Sequence, residues 1–198
     1  MVLKRQMLII LMLFFAFTGS SSQNKPSDNK YLNVFIVRAV KAFGNKDMRE
    51  ISGLVHKNKG LIVLYRQGSF DTFRITGKKD LTDSLVGILP LTEFSPDTIV
   101  LNLPLPEYDD DAGWNKKGLY CDLLHKDCLL SETAVKMNKS QLFTIPDEII
   151  DDFKKLESKS YKVMLVDSKG RAFIFYITMI NRKWYVTAID RLTGDNSA

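Results

Sequence analysis

The chain has few of the residues that carry most enzyme chemistry. Its 198 residues include only two histidines and two cysteines, so it can form at most one disulfide within itself. No nucleophile elbow, phosphate-binding loop or metalloprotease motif occurs in it. Glycine and proline are modest in number while aromatic residues are plentiful, which excludes disorder for the body of the chain. The sequence therefore indicates a folded protein without an obvious catalytic motif, and no cofactor is expected.

Long apolar runs are missing too, apart from one at the start of the chain. Residues 7–17 form an apolar run of about 11 residues, whereas a membrane-spanning helix needs about 20. The run follows Lys4 and Arg5 and precedes small residues at 18–22, so residues 1–20 are predicted to be a secretory signal peptide. No cysteine follows the run, which argues against a lipid anchor. We expect an exported, soluble protein, periplasmic or secreted, with no stable membrane span after cleavage.

An excess of one charge is also absent. The net charge of +5 falls to about +3 once Lys4 and Arg5 are removed, and basic and acidic residues are mixed along the chain. This pattern argues against a nucleic-acid partner. About 178 residues remain after cleavage, the usual length of one domain. We interpret residues 21–30 as a flexible tether, 31–191 as a single α+β domain and 192–198 as a C-terminal tail.

Hydrophobic periodicity places the main elements. Apolar residues recur at helical spacing from Leu32 to Phe43, and Asp47 with Glu50 predicts the start of a second short helix through His56. Strands are predicted at 61–66 and 70–75, and a helix from Pro146 to about Ser158. Residues 78–118, rich in proline and acids, are predicted to be loops around one short strand near 98–103.

The last third predicts three antiparallel strands in a meander, at 161–167, 171–180 and 183–191. The middle strand is apolar on both faces, so it should be central and covered on both sides. Because helices precede the strands without alternating strictly with them, the fold class is α+β.

Several stretches of the sequence resemble the nuclear transport factor 2-like family, also called cystatin-like or SnoaL-like. They are NKDM (45–48), LVH (54–56), GLIVLYRQG (60–68), WNKKGLYC (114–121), FIFY (173–176) and KWYVTAIDR (183–191). They resemble in particular short exported proteins of Bacteroidetes-type bacteria. The resemblance implies N-terminal helices packed on a curved antiparallel sheet, cone-like, which ends in the three-stranded meander. It also implies a pocket between sheet and helices, where some relatives perform acid–base chemistry with a His–Asp pair.

Neither histidine lies where a base facing such a pocket is expected. His56 is placed at the end of the second helix, where it would cap carbonyls and complement the helix dipole. His125 lies in a polar turn between the two cysteines. In an exported chain, Cys121 and Cys128 should form a disulfide, which requires that residues 119–130 form a hairpin or loop, since Cα atoms seven apart on a helix are about 10 Å apart. A metal site using Cys121, His125 and Cys128 is the alternative, but it lacks an evident fourth ligand.

The remaining candidates are aromatic and acidic. Tyr65, Tyr176 and Trp184 carry apolar bodies with polar tips and are candidates to line a pocket, although central strand positions also suit plain core residues. Asp190 and Arg191 could orient a ligand at the mouth of the cone, or could form a surface ion pair. The acids at 109–111, close after Glu107, could gather calcium but lack the EF-hand pattern, so a solvated loop is favoured and no metal site is assigned.

Taken together, the sequence favours an exported, non-catalytic binding module. Its partner would be a small apolar or amphipathic ligand held in the cone pocket, or an envelope protein, and a homodimer remains open. A small periplasmic lyase or isomerase is the first alternative, which would need an acid–base pair inside the pocket. A module for protein interactions in the envelope is the second.

Overall fold

The computed structural model of the chain describes residues 26–82, 99–101, 104–123, 129–141 and 143–193. The chain divides into two compact units, Met1–Tyr31 and Leu32–Ala198. Of the first unit, residues 26–31 are described, and they are helical. No helix in the described ranges is long and apolar enough to cross a membrane.

Two helices lie in the N-terminal part. Helix α1 (Pro26–Gly44) begins at a proline, whose fixed φ suits the first position of a helix; residues 26–30 of the segment interpreted as a tether are therefore helical. Helix α2 (Met48–Leu54) begins after Asp47, whose carboxylate accepts the Glu50 N–H at 3.0 Å. The Glu50 carboxylate forms an ion pair with Arg38 at 2.7 Å. Helix α2 ends at Leu54 with Val55 as its extended C-cap, so the predicted extension to His56 is wrong.

Two further helices lie between the strands of the C-terminal half. Helix α3 (Leu129–Lys139) was not predicted, and helix α4 (Asp147–Glu157) matches the predicted helix, with Pro146 at its N-cap. Glu157, in the last turn of α4, reaches the start of α3. One of its carboxylate oxygens accepts the N–H groups of Leu130 at 2.7 Å and Ser131 at 3.0 Å. These N–H groups have no partner within their own helix, so a residue distant in sequence caps α3.

Nine strands are described. They are β1 (Leu61–Gln67), β2 (Phe70–Thr76), β3 (Ile99–Leu101), β4 (Tyr108–Asp109), β5 (Gly113–Trp114), β6 (Gly118–Asp122), β7 (Ser160–Val166), β8 (Ala172–Ile180) and β9 (Lys183–Asp190). Seven of them form one sheet in the order β2-β1-β9-β8-β7-β6-β3, while β4 and β5 form a separate hairpin.

The seven-stranded sheet is mixed. Strand β7 pairs antiparallel with β8, and β8 pairs antiparallel with β9. However, β1 lies parallel to β9, and β3 lies parallel to β6, so the prediction of an antiparallel sheet is wrong for these two pairs. In both pairs the neighbours in the sheet are distant in the chain: β9 lies between β8 and β1, and β3 lies beside β6.

Helices cover the sheet on both faces. Leu61 and Val63 of β1 belong to one core with α1 and α2, whereas Ile62 and Leu64 belong to a second core with α3 and α4. This alternation follows from the two-residue period of a strand. Strand β8 is the fourth of the seven strands and is buried on both faces, which confirms the prediction that it is central and covered on both sides.

The first core is rich in aromatic rings. Phe43 of α1 lies 5.1 Å from Phe173, which in turn stacks on Phe175 at 4.8 Å. Phe175 is fully buried, as an inward position on a central strand requires. Trp184 packs against the same core but is only partly buried, because it lies near the start of β9, next to the exposed turn at 181–182.

Candidate binding groove

A groove lies between helix α4 and one end of the sheet. Ile149, Asp152, Phe153 and Leu156 occur at positions i, i+3, i+4 and i+7, so they share one side of α4. The groove has a volume of about 250 Å³. We define this "α4 groove" by its lining residues, which are Asn58, Lys59, Gly60, Ile62, Ile75, Ile149, Asp152, Phe153, Leu156 and Thr187.

The walls of the α4 groove are mainly apolar. Ile62 of β1 and Ile75 of β2 are direct cross-strand partners, and Phe153 and Leu156 face them from α4. Ile62 and Phe153 belong to the second core. Two lining residues remain unusually exposed for apolar side chains: Ile75 at 51 % and Ile149 at 40 %. An exposed apolar surface of this kind often marks a site of ligand or protein contact.

A tight turn holds the polar rim of the groove. The Nδ1 atom of His56 accepts the N–H groups of Asn58 and Lys59, each at 3.2 Å, and Gly60 donates to the His56 carbonyl at 3.0 Å. Gly60 has a φ of +70°, and a Cβ there would lie 2.5 Å from the Thr76 carbonyl oxygen, so only glycine fits. The turn therefore presents Asn58 and Lys59 at a defined place beside the groove.

This turn also revises the role predicted for His56. The helix ends before it, and the imidazole accepts backbone N–H groups instead of donating to helix carbonyls. Its ring also lies edge-on to Tyr185, with centroids 4.9 Å apart. His56 is thus a structural residue of the turn, and it does not line the α4 groove.

A chain of buried hydroxyl groups supports the groove. Ser160 donates to the Leu156 carbonyl at 2.8 Å, and the Thr178 hydroxyl lies 2.6 Å from Ser160 and 2.8 Å from Thr187. At the other end of the chain, the Thr187 hydroxyl donates to the Tyr176 carbonyl at 3.4 Å. The chain ties β7, β8 and β9 to the last turn of α4, which keeps the groove walls in place.

Positive charge collects around the same turn. A second cavity of about 720 Å³ is lined by Lys57, Lys78 and Lys79, with Asp80 as its one acidic residue among those described, and Asn58 borders both cavities. The ion pairs found among the described residues involve neither these lysines nor Lys59.

On the helix side, the acidic residues are neutralised by neighbours. The Asp152 carboxylate lies 3.3 Å from the Lys155 ammonium. One position earlier, a hydrogen bond from Lys154 together with its charge lowers the pKa of the exposed Asp151 carboxyl below its ordinary value. The negative charge at the α4 wall is therefore compensated locally, whereas the lysines of the turn side are not.

The five predicted ligand-binding residues do not form one site, although Lys162 lies near two of them, Tyr176 and Asp190. Tyr176 is buried in the second core, under the Lys162 ammonium at 5.8 Å. Trp184 packs on the first core, at the opposite face, 5.7 Å from Tyr161. Tyr65 is partly exposed on β1. None of the five lines either cavity.

Asp190 and Arg191 form hydrogen bonds that fix the end of β9. The Asp190 carboxylate accepts the N–H groups of Leu192 and Thr193 at 2.8 and 3.1 Å, and the Thr193 hydroxyl at 2.6 Å. Its nearest cation is Lys162 at 4.0 Å, and its side chain is fully buried. Arg191 donates its backbone N–H to the Leu64 carbonyl. Asp190 therefore caps a turn, and the predicted alternative of a surface pair with Arg191 does not describe it.

The predicted disulfide lies partly outside the described residues, as Cys128 and His125 fall in 124–128. Cys121 is buried in strand β6, and helix α3 begins only at Leu129. The segment 119–130 is thus not one continuous helix, and this meets the geometric condition for the disulfide. The bond itself stays a prediction. Within the described part of the chain, no group of three or more His, Cys, Asp or Glu residues could hold a metal ion.

The acidic run forms the turn of the β4–β5 hairpin. The Asp109 carboxylate accepts the N–H groups of Asp111 and Ala112 at 3.0 and 2.8 Å, and Tyr108 packs edge-on against Trp114. Part of the segment predicted as loops, 108–114, is therefore a short hairpin.

The sequence interpretation did not single out the residues of the α4 groove. The one local indication was the Lys57–Gly60 stretch, two lysines beside a turn that leads into an apolar strand. A scan against protein-family models finds no matching family, and searches of curated proteins and of solved structures find no match either. The argument for function therefore depends on the groove itself.

Proposed function

We propose that the protein is an exported, non-catalytic binding module that holds a small apolar or amphipathic ligand in the α4 groove. The observation that carries the proposal is the groove: apolar walls from two strands and a helix, with a few polar groups from the turn, from α4 and from β9. Binding sites for small molecules usually combine these features. At about 250 Å³, the groove is just below the usual range of about 300–1,000 Å³, which suits a single alkyl chain or an aromatic molecule of similar volume.

The fold we propose is the nuclear transport factor 2-like cone. Its support is the pair α1 and α2, packed on one face of a sheet that contains the β8–β9 hairpin. The space between these helices and the sheet is filled by the rings of Phe43, Phe173 and Phe175. The ligand is therefore placed on the other face of the sheet, under α4, and not in the interior of the cone.

The groove supports binding better than acid–base catalysis. The lyase or isomerase alternative needs a His–Asp pair in a pocket, and His56 and Asp190 are the natural pair. Nδ1 of His56 already accepts two backbone N–H groups, and the Asp190 carboxylate accepts three hydrogen bonds. Neither side chain lines a described cavity.

An interaction module in the envelope is the second candidate. Ile75 and Ile149 stand exposed at the groove, and an apolar side chain of a partner protein could enter between them. An interaction module should bind no small apolar molecule as an isolated protein. Titration of the protein with such a molecule therefore distinguishes it from a small-ligand binding module.

The test uses the mature protein recovered from the periplasm, where N-terminal sequencing should find a chain that begins near residues 20–22. We would titrate it with the neutral apolar dye N-phenyl-1-naphthylamine and follow the dye fluorescence. Ile75→Trp should fill the groove without disturbing the core, because Ile75 is half exposed, and it should weaken dye binding at least about tenfold, equivalent to about 1.4 kcal/mol.

The matched control is Met179→Trp, which places the same ring on another exposed strand residue that lines neither cavity. It should bind the dye like the parent. Absence of dye binding in the parent protein would refute the small-ligand proposal, as would equal affinities for the parent and Ile75→Trp.

A further inference from the structure

We propose that the ligand of the α4 groove is a single-chain amphiphile with an anionic head, of the fatty-acid kind, whose head binds Lys59. This inference rests on the proposed function and adds the class of ligand. The alkyl chain would lie between Ile62 and Ile75 on one side and Phe153 and Leu156 on the other. The head would lie at the turn, where the groove changes from apolar to polar.

The first support is the charge around the turn. Lys57, Lys59, Lys78 and Lys79 border the two cavities that meet at Asn58. The ion pairs of the described residues use none of these four, whereas Asp152 on the opposite wall already faces Lys155 at 3.3 Å. The site therefore offers positive charge to a ligand, and its negative charge is partly compensated. An anionic head is attracted and an ammonium head is not.

The second support is the rigidity of the place where Lys59 begins. The Lys59 N–H donates to Nδ1 of His56. The following Gly60 donates its N–H to the His56 carbonyl, lies close to the Thr76 carbonyl and has a φ that only glycine adopts easily. The lysine side chain is exposed, so its ammonium can reach a head at the mouth of the groove. The neighbouring Asn58 amide borders both cavities and can donate a further hydrogen bond.

The third support is the location of the exposed apolar residues. Ile75 and Ile149 line the same groove as Lys59, so an apolar surface and an exposed charge adjoin. A purely apolar ligand would leave Lys59 unused, and a small hydrophilic anion would leave the isoleucines uncovered. Only a molecule with an apolar chain and an anionic head covers the isoleucines and also pairs with Lys59.

The experiment compares three probes that share one ten-carbon chain: decanoate, decanol and decylamine. Each is titrated by calorimetry as a monomer, below its micellar concentration, at pH 7.5 and low salt. The parent should bind decanoate about tenfold more tightly than decanol, and decylamine most weakly. Because the head remains near solvent, 0.5 M salt should remove most of the difference.

Lys59→Gln should bind decanoate no better than decanol. Lys183→Gln, an exposed lysine that lines neither cavity, is the control and should keep the preference. If Lys57 supplies part of the attraction, Lys59→Gln keeps a reduced preference and the double variant with Lys57→Gln loses it.

The outcomes separate this inference from the proposed function. A full preference for decanoate in the double variant overturns Lys59 as the group that binds the head. Equal binding of decanoate and decanol to the parent overturns the anionic head but leaves the groove as a binding site. Tighter binding of decylamine does the same. Failure of all three probes to bind overturns this inference, and the proposed function is overturned with it only if the apolar dye fails to bind as well. Co-sedimentation with vesicles containing phosphatidylglycerol, without binding of monomeric decanoate, would assign the lysines to a membrane surface and overturn the ligand.

Discussion

Replacement of Glu157 should expose the most sensitive long-range contact in the described structure. Its carboxylate caps the start of helix α3 through the N–H groups of Leu130 and Ser131, from a position 27 and 26 residues away in the chain. All three residues are buried. The contact combines a charge at the positive end of a helix dipole with two hydrogen bonds to groups that have no partner in their own helix.

The size of the effect follows from these parts. A hydrogen bond to a charged group contributes about 1.5–3 kcal/mol, and a buried N–H left without an acceptor costs about 1–3 kcal/mol. Glu157→Ala removes the acceptor for two N–H groups, so we expect a loss of about 3 kcal/mol. Glu157→Gln keeps an acceptor oxygen and removes only the charge, so about 1 kcal/mol is expected, within the range of helix-dipole effects.

The assay is thermal and urea unfolding of both variants. For a domain of this length, 1 kcal/mol corresponds to about 2–4 °C in Tm, so Glu157→Ala should melt about 6–12 °C below the parent. Glu148→Gln, at an exposed acid in the first turn of α4, controls for charge and should change stability by less than about 1 kcal/mol. A Glu157→Ala protein within 0.5 kcal/mol of the parent, an order-of-magnitude threshold for surface substitutions, would refute the capping argument.

The other predictions concern the core, the turn and the cysteines. Phe175→Ala should cost about 3–5 kcal/mol because the side chain is fully buried, whereas Trp184→Ala should cost about 2 kcal/mol because the ring is partly exposed; the reverse order in urea unfolding would contradict the placement of β9. His56→Ala should cost about 1–2 kcal/mol of stability, because the N–H groups of Asn58 and Lys59 lose their acceptor and the ring contact with Tyr185 is lost. Ligand affinity should also fall, because the turn that holds Lys59 loosens. Unchanged stability would show that the turn does not need the imidazole. Thiol titration of the denatured, non-reduced protein from the periplasm should find no reactive Cys121 or Cys128, and two reactive thiols would exclude the disulfide.

Much of the local structure could be predicted because its causes are local. The apolar spacing in 32–43 and 149–156 predicted helices that the structure contains. The Asp47 cap is formed as predicted, through one hydrogen bond to a residue three positions later. Strands β1, β2 and β7 to β9 match the runs of β-branched and aromatic residues to within one or two positions. Helix α3 was not predicted, although Leu130, Ala134 and Met137 are spaced as on one face of a helix; its cap comes from the distant Glu157 and gives no local signal.

The sequence by itself determined the bounds of helix α4 and of strands β1, β2 and β7 to β9 to within one or two residues. It also determined that strand β8 would be buried on both faces. Only the tertiary structure decided that β9 docks parallel to β1, because register and direction depend on distant partners. The same holds for the candidate site. Lys59, Ile75, Leu156 and Thr187 come from four separate elements, and no spacing along the chain brings them together. Hydrophobic periodicity tells which side of an element is buried. A groove arises where the apolar sides of two elements do not pack fully against each other, and its position depends on how the elements pack.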